Sequence, residues 1–197
     1  MKSRRTGGRS ARVREAVLEA VHAELVDRGY IGMTVENVAD RAGVHKTTVY
    51  RRWGTVDVLI ADALDQGRDV DWVAPDTGSV EGDLIALATE VVDTFADPVR
   101  SRVPVALIAA ALQASRAREA KNRYYAARHA AAAVIAKRAV GRGELPEGVD
   151  VEELVRQTCA PLFYRVLVSG EPVDRAAAER AARAALVAAR AGVLGAG

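Results

Sequence analysis

The chain has 197 residues, half of them apolar, and carries 28 Lys and Arg against 26 Asp and Glu for a formal net charge of +2. That is enough chain for one large domain or two modest ones with a real core. The longest apolar run, Val103 to Leu112, is about half the ~20 residues that a membrane helix needs, which excludes a span of that kind.

Cys159 stands alone, so an intrachain disulfide is excluded and a reducing compartment is expected. The basic N-terminus has no apolar stretch before Val13 and does not read as a secretory leader. The expectation is a soluble, cytoplasmic protein with no membrane partner. Aromatic residues make up only 5% of the chain, and alanine runs recur at Ala130–Ala133 and Ala176–Ala178. Alanine favours helix and strand-like alternation is scarce, so the expected fold class is all-α. The charge is unevenly placed. Residues 1–53 hold eleven Lys and Arg against six acids, a local balance of +5, which leaves −3 for residues 54–197. A basic front on a mildly acidic body suits one module for a polyanion and another for something else.

In chain order, residues 1–10 read as a basic, flexible arm. Arg4, Arg5 and Arg9 either lie along phosphates or in a minor groove, or belong to an untethered terminus. A first helix over about Ser10 to Arg28 carries the apolar stripe Val13, Val17, Ala20, Val21 and Leu25. Gly29 ends it, and Tyr30 and Ile31 are expected to tuck the connection inward.

The most informative segment follows. Thr34 to Ala42 is a short helical pattern with Val35, Val38, Ala39 and Ala42 on one face. Thr34 is placed to cap it, Glu36 opposes its dipole, and Met33 with Val38 occupies the two positions of a hydrophobic staple. Gly43 can take the left-handed conformation that turns the chain. A second helix spans about Lys46 to Arg52, with Val49, Val44 and Trp53 facing inward. His45, Lys46, Thr47, Thr48, Tyr50, Arg51 and Arg52 face outward. These side chains donate hydrogen bonds or carry positive charge, as a helix laid in a DNA major groove requires. A plain bundle with a solvated face is the alternative. Such a face mixes charge signs, whereas no acid occurs between His45 and Trp53.

Thr55 caps a fourth helix carrying Val58, Leu59, Ile60, Ala63 and Leu64. Residues 11–66 thus form a helix-turn-helix headpiece, and residues 67–80 read as a linker whose Trp72 can pack on either neighbour. Residues 81–197 read as a helical bundle. Its expected helices are Val80 to Ala96 (capped by Ser79), Arg102 to Ala114, Arg118 to Val140, Asp150 to Ser169, and Arg175 to Ala191 (capped by Asp174). Val105, Leu107, Ile108, Ala111 and Leu112 are expected to face inward on the second of these. Pro161 should kink the fourth or shift its register. Phe95, Leu107, Ala111, Tyr125 and Phe163 are the candidate lining of a ligand pocket, although each also suits simple core. Arg128 and His129 read as solvated surface, and Cys159 as an inert buried thiol. The scattered His22, His45 and His129 offer no metal-ligand spacing, and no phosphate loop or nucleophile elbow is present. No enzyme, metal or cofactor is expected.

The headpiece resembles the DNA-binding domain of the TetR family of transcriptional repressors over about residues 12–60. The matching residues are Gly29-Tyr30, Thr34-Val35, Val38-Ala39, Ala42-Gly43-Val44, Lys46, Thr48-Val49-Tyr50-Arg51, Trp53 and Leu59. The C-terminal region is similar to the family's ligand-binding and dimerisation domain, chiefly by helix count and the segment from Pro161 to Pro172. The resemblance implies a homodimer, joined through the last two helices, on palindromic operator DNA. It also implies a small-molecule effector. It carries DNA contact to Thr34, His45, Lys46, Thr47, Thr48, Tyr50 and Arg51, with Thr34 and Tyr50 expected on phosphates and Lys46, Thr47 and Thr48 near base edges. Where the family often has a basic residue just inside the fourth helix, this chain has Val56, so Arg52 or the arm is left to supply that contact. An architectural DNA binder without an effector remains the alternative, and an all-helical enzyme is a remoter one.

Overall fold

The computed structural model describes residues 7–66 and 72–195, with the side chains of residues 10–63 and 72–195. Among the described residues nine α-helices account for the fold: α1 Gly7–Gly32, α2 Val35–Arg41, α3 Lys46–Arg52, α4 Val56–Gln66, α5 Val80–Ala96, α6 Arg102–Gln113, α7 Ser115–Gly141, α8 Val151–Tyr164 and α9 Arg175–Arg190. Two compact units divide the chain. One comprises residues 1–70 and 102–124, the other residues 71–101 and 125–197.

In the first unit α1 packs against α2, α4 and α6, and α2 packs against α3. Leu18, Leu25, Leu59 and Ile60 are fully buried, and each such side chain contributes about 1.5–3 kcal/mol of hydrophobic stabilisation. α1 starts at Gly7, earlier than the expected Ser10. Arg4 and Arg5 lie outside the described residues, as does the side chain of Arg9. Gly29 breaks the helix at φ 67° and ψ −179°, a region only glycine visits freely. The corner beyond it is not as expected. Tyr30 is half-buried and its hydroxyl donates to Asp57 Oδ1 at 2.8 Å, but Ile31 is 98% exposed. The positive φ at Gly29 redirects the final turn, so one aromatic anchor turns inward and its neighbour outward.

In the second unit α5, α8 and α9 pack on one another, and Ala132, Ile135, Ala136 and Ala139 of α7 join their core. The expected caps are in place. Ser79 Oγ accepts from Gly82 N at 3.1 Å, Asp150 Oδ1 from Glu153 N at 2.9 Å, and Asp174 Oδ1 from Ala177 N at 2.7 Å. Each cap satisfies an amide the helix start leaves open and stabilises by about 1 kcal/mol. α8 runs through Pro161 and then widens into a π-helical turn over Arg165–Ser169, which is the expected register shift. α9 buries Ala177, Ala178, Ala181, Ala182, Ala185, Leu186 and Ala189. These small side chains allow close approach to α5 and α8 within the chain, so they are not available to a second copy.

Two inward assignments on α6 fail. Leu112 is 74% exposed and Val105 is exposed, while Ala106, Leu107, Ala110 and Ala111 are buried. Periodicity marks an apolar arc, and on α6 the packed part of it is centred on the alanines. Arg128 also departs from the solvated reading, since its guanidinium stacks 5.1 Å from the centroid of the Trp72 ring. Trp72 itself donates its indole N–H to the Glu90 carboxylate at 2.8 Å.

Burial pushes the Cys159 thiol up to about 12, with Arg128 pulling weakly the other way. At pH 8 such a thiol is thiolate to only about one part in 10⁴. Native protein is therefore expected to react with a maleimide or iodoacetamide about 10³-fold more slowly than an ordinary cysteine does. Unfolded protein should label at the normal rate. Rapid labelling of the native state, followed by mass spectrometry, would contradict this.

Candidate nucleic-acid interface

α2 and α3 position the cationic side chains. Thr34, extended at φ −127°, caps α2 by accepting from Asn37 N at 3.1 Å. Turned so that its nitrogen faces Thr34, the Asn37 amide donates to Oγ1 at 2.5 Å and its oxygen accepts from Arg28 Nη1 at 2.5 Å. Thr34 Oγ1 then accepts twice within the protein, and its own proton is free for an outside acceptor such as phosphate. Met33 and Val38 are both buried, as a staple requires.

The turn closes in a Schellman arrangement. Val44 N donates to Ala39 O at 3.0 Å and Gly43 N to Asp40 O at 3.2 Å. Gly43 sits at φ 63°, where any larger residue is strained. α2 is held to α1 by ion pairs. Arg41 Nε lies 2.7 Å from the buried Glu24 and Arg41 Nη2 lies 2.5 Å from Asp27, while Arg28 Nε approaches Glu24 from the other side at 3.0 Å.

The recognition helix α3 buries Val49 completely and leaves Lys46, Thr47, Tyr50, Arg51 and Arg52 exposed, with Thr48 half-buried. His45 has a structural role. It caps α3, its Nδ1 accepting from Thr47 N at 3.4 Å and lying 2.9 Å from Thr47 Oγ1. A ring whose Nδ1 accepts carries its proton on Nε2, which leaves one N–H for an outside acceptor. Arg52 turns back toward α1: Nη1 reaches Ser10 O and Oγ at 3.4 Å, and the guanidinium lies 5.0 Å from the centroid of the Trp53 ring. It is thus partly engaged within the headpiece, unlike the freely projecting donor expected from the sequence.

Three acidic residues shape this face without having been singled out as site residues. Asp62 on α4 accepts from Trp53 Nε1 at 2.8 Å and from Arg14 at 2.5 Å and 3.1 Å, fastening α3, α1 and α4 together. Asp57 holds Tyr30. Glu36 accepts the Tyr50 hydroxyl at 2.8 Å. These pairs span 9 to 48 residues, and no local spacing signals them.

Of the candidate pocket residues, Phe95, Tyr125 and Phe163 meet in the second unit. The Phe163 ring lies edge-on to Phe95 at 5.1 Å and to Tyr125 at 6.0 Å. Leu107 and Ala111 are buried in the first unit.

A capped, cationic second helix held by a glycine turn on a three-helix support, with a helical body beyond it, defines the class of helix-turn-helix DNA-binding regulators. Residues 17–63 match the model of the tetR family of bacterial regulatory proteins, and residues 74–185 match the tetracyclin repressor-like C-terminal domain. The chain is 33% identical to the DNA-binding transcriptional repressor TetR of Mycobacteroides abscessus, over 83% of this chain and 86% of that protein. It is 32% identical to the HTH-type transcriptional regulator AqdR of Rhodococcus erythropolis, over 72% of this chain and 68% of that one. The crystal structure of the TetR family transcription regulator SCO0332 superposes with a TM-score of 0.71 at 32% identity, covering 89% of this chain and 97% of that one. The protein belongs to the TetR family and is a DNA-binding transcriptional regulator. Among the described residues no helix is long and apolar enough to cross a membrane.

Proposed function

We propose that the protein is a cytoplasmic, homodimeric repressor that leaves a palindromic operator when a small molecule binds its second unit, and that it acts without catalysis. The observation that carries this reading is the exposed face of α3 with the exposed Thr34 hydroxyl beside it. Lys46, Thr47 and Thr48 are the base-edge donors, Thr34 and Tyr50 the phosphate contacts, and His45, Arg51 and Arg52 the flanking ones. Two such headpieces must stand about 34 Å apart to enter successive major grooves.

A second observation supports dimerisation. Ala160, Pro161, Tyr164, Leu167 and Val168 form an exposed stripe over the end of α8 and the π-helical turn after it, and Ala176, Ala184 and Val187 form one on α9. Apolar side chains so arranged lose water on meeting a twin. For the effector, the Phe95–Phe163–Tyr125 cluster favours a ligand with a flat apolar part. Such a ligand lowers DNA affinity only as far as it prefers the DNA-incompetent state.

Selection of bound sequences from random duplex DNA tests the reading. A palindrome with half-sites one helical turn apart is expected. Enrichment of no sequence, combined with no thermal shift against a metabolite panel, would favour an architectural binder instead.

A further inference from the structure

We infer that Glu36 is an internal competitor for DNA phosphate, holding the one proton of the Tyr50 hydroxyl until phosphate displaces it, and so setting how tightly the headpiece binds any duplex. The inference rests on the reading of Tyr50 as a phosphate contact.

Tyr50 Oη donates to Glu36 Oε1 at 2.8 Å. A phenol has a single O–H, whereas an ionised carboxylate and a phosphate diester oxygen only accept. Tyr50 therefore cannot serve Glu36 and a phosphate together. Binding at Tyr50 exchanges one charge-assisted hydrogen bond for another, and the gain is only their difference.

Position makes the competition direct. Glu36 lies on the first turn of α2 and Tyr50 two positions before the end of α3, and both side chains are exposed. The carboxylate occupies the place from which a phosphate would take the proton. The hydrogen bond from Tyr50 holds the Glu36 carboxyl below its ordinary pKa, and the nearby Lys46 charge acts in the same direction. The phenol responds in kind: the hydrogen bond to Glu36 raises its pKa above the ordinary tyrosine value. Glu36 thus offsets part of the positive field on the face that must meet a polyanion. Phosphates carry no sequence information, so the effect applies to specific and non-specific duplexes alike. It keeps a strongly cationic helix from holding bulk DNA too tightly, which matters when competing sites vastly outnumber operators.

A double-mutant cycle tests this in the full-length protein, with Glu36→Gln, Tyr50→Phe and the double variant. Dissociation constants are measured by fluorescence anisotropy on a non-specific duplex at fixed salt. Glu36→Gln is expected to tighten binding about tenfold with Tyr50 present, but only about threefold with phenylalanine there, the remainder being charge alone. Equal gains in both backgrounds would show that no shared proton is at stake and overturn the inference, as would unchanged or weaker binding by Glu36→Gln. A second readout needs no DNA. In ultraviolet titration the ionisation of one tyrosine should move down in Glu36→Gln and be missing in Tyr50→Phe. An unchanged titration curve for Glu36→Gln would likewise overturn it. If the wild-type chain binds no duplex at all, the DNA reading itself fails, a result distinct from binding that ignores Glu36.

Discussion

Replacing Lys46 and Tyr50 with alanine is expected to weaken operator binding by about 10²–10⁴-fold, because one base-edge contact is worth about 5- to 150-fold and a symmetric dimer loses it twice. The fold should be untouched. Both side chains are exposed, and Tyr50 makes a surface hydrogen bond to Glu36. Surface changes of this kind move stability by no more than about 0.5 kcal/mol. Circular dichroism and sedimentation should therefore match the parent protein while anisotropy on the selected operator does not. Binding that survives both replacements would remove α3 from the interface. Salt provides an internal control: affinity should fall steeply with ionic strength, and less steeply once Lys46 is gone.

The double variant Val168→Glu with Val187→Glu should be a folded monomer that no longer holds operator DNA. Val168 is 68% and Val187 is 66% exposed, so within one subunit each new carboxylate stays in water and costs little. In an interface the same carboxylates would be buried without partners, a large penalty. Loss of the twin converts two linked headpieces into separate ones, and the gain in avidity from linkage, about 10²–10⁴-fold, is forfeited. Analytical ultracentrifugation reads the first consequence and anisotropy the second. A variant that remains dimeric would place the interface elsewhere on the second unit. A variant that is monomeric yet binds operator fully would separate dimerisation from DNA recognition.

Much of this was legible in the order of residues, and the reason is locality. Thr34, Ser79, Asp150 and Asp174 cap their helices because a cap involves amides two or three positions along. Gly43 and Gly29 turn the chain because only glycine takes those angles cheaply. Pro161 disturbs the helix that contains it. The outward row on α3 follows from helical spacing once Val49 is recognised as the buried position. The failures are equally instructive. Ile31 and Leu112 read as inward because they are apolar, yet the face a helix buries depends on what packs against it. The alanines of α9 serve the chain's own core. Arg128 and Trp72 lie 56 positions apart in sequence and stack on each other, and nothing near either residue announces it.

By itself the sequence determined the all-α class, the helix caps, the turn geometry and the cationic outward face of α3, because interactions over a few residues decide all of these. Only the tertiary structure decided which hydrogen-bonding groups are already occupied. His45 spends Nδ1 on its own helix, Arg52 leans on Trp53, Asp62 fastens three helices and Glu36 holds Tyr50. Such pairings depend on two helices meeting at a given angle and register, and the free energy of long-range packing sets that geometry.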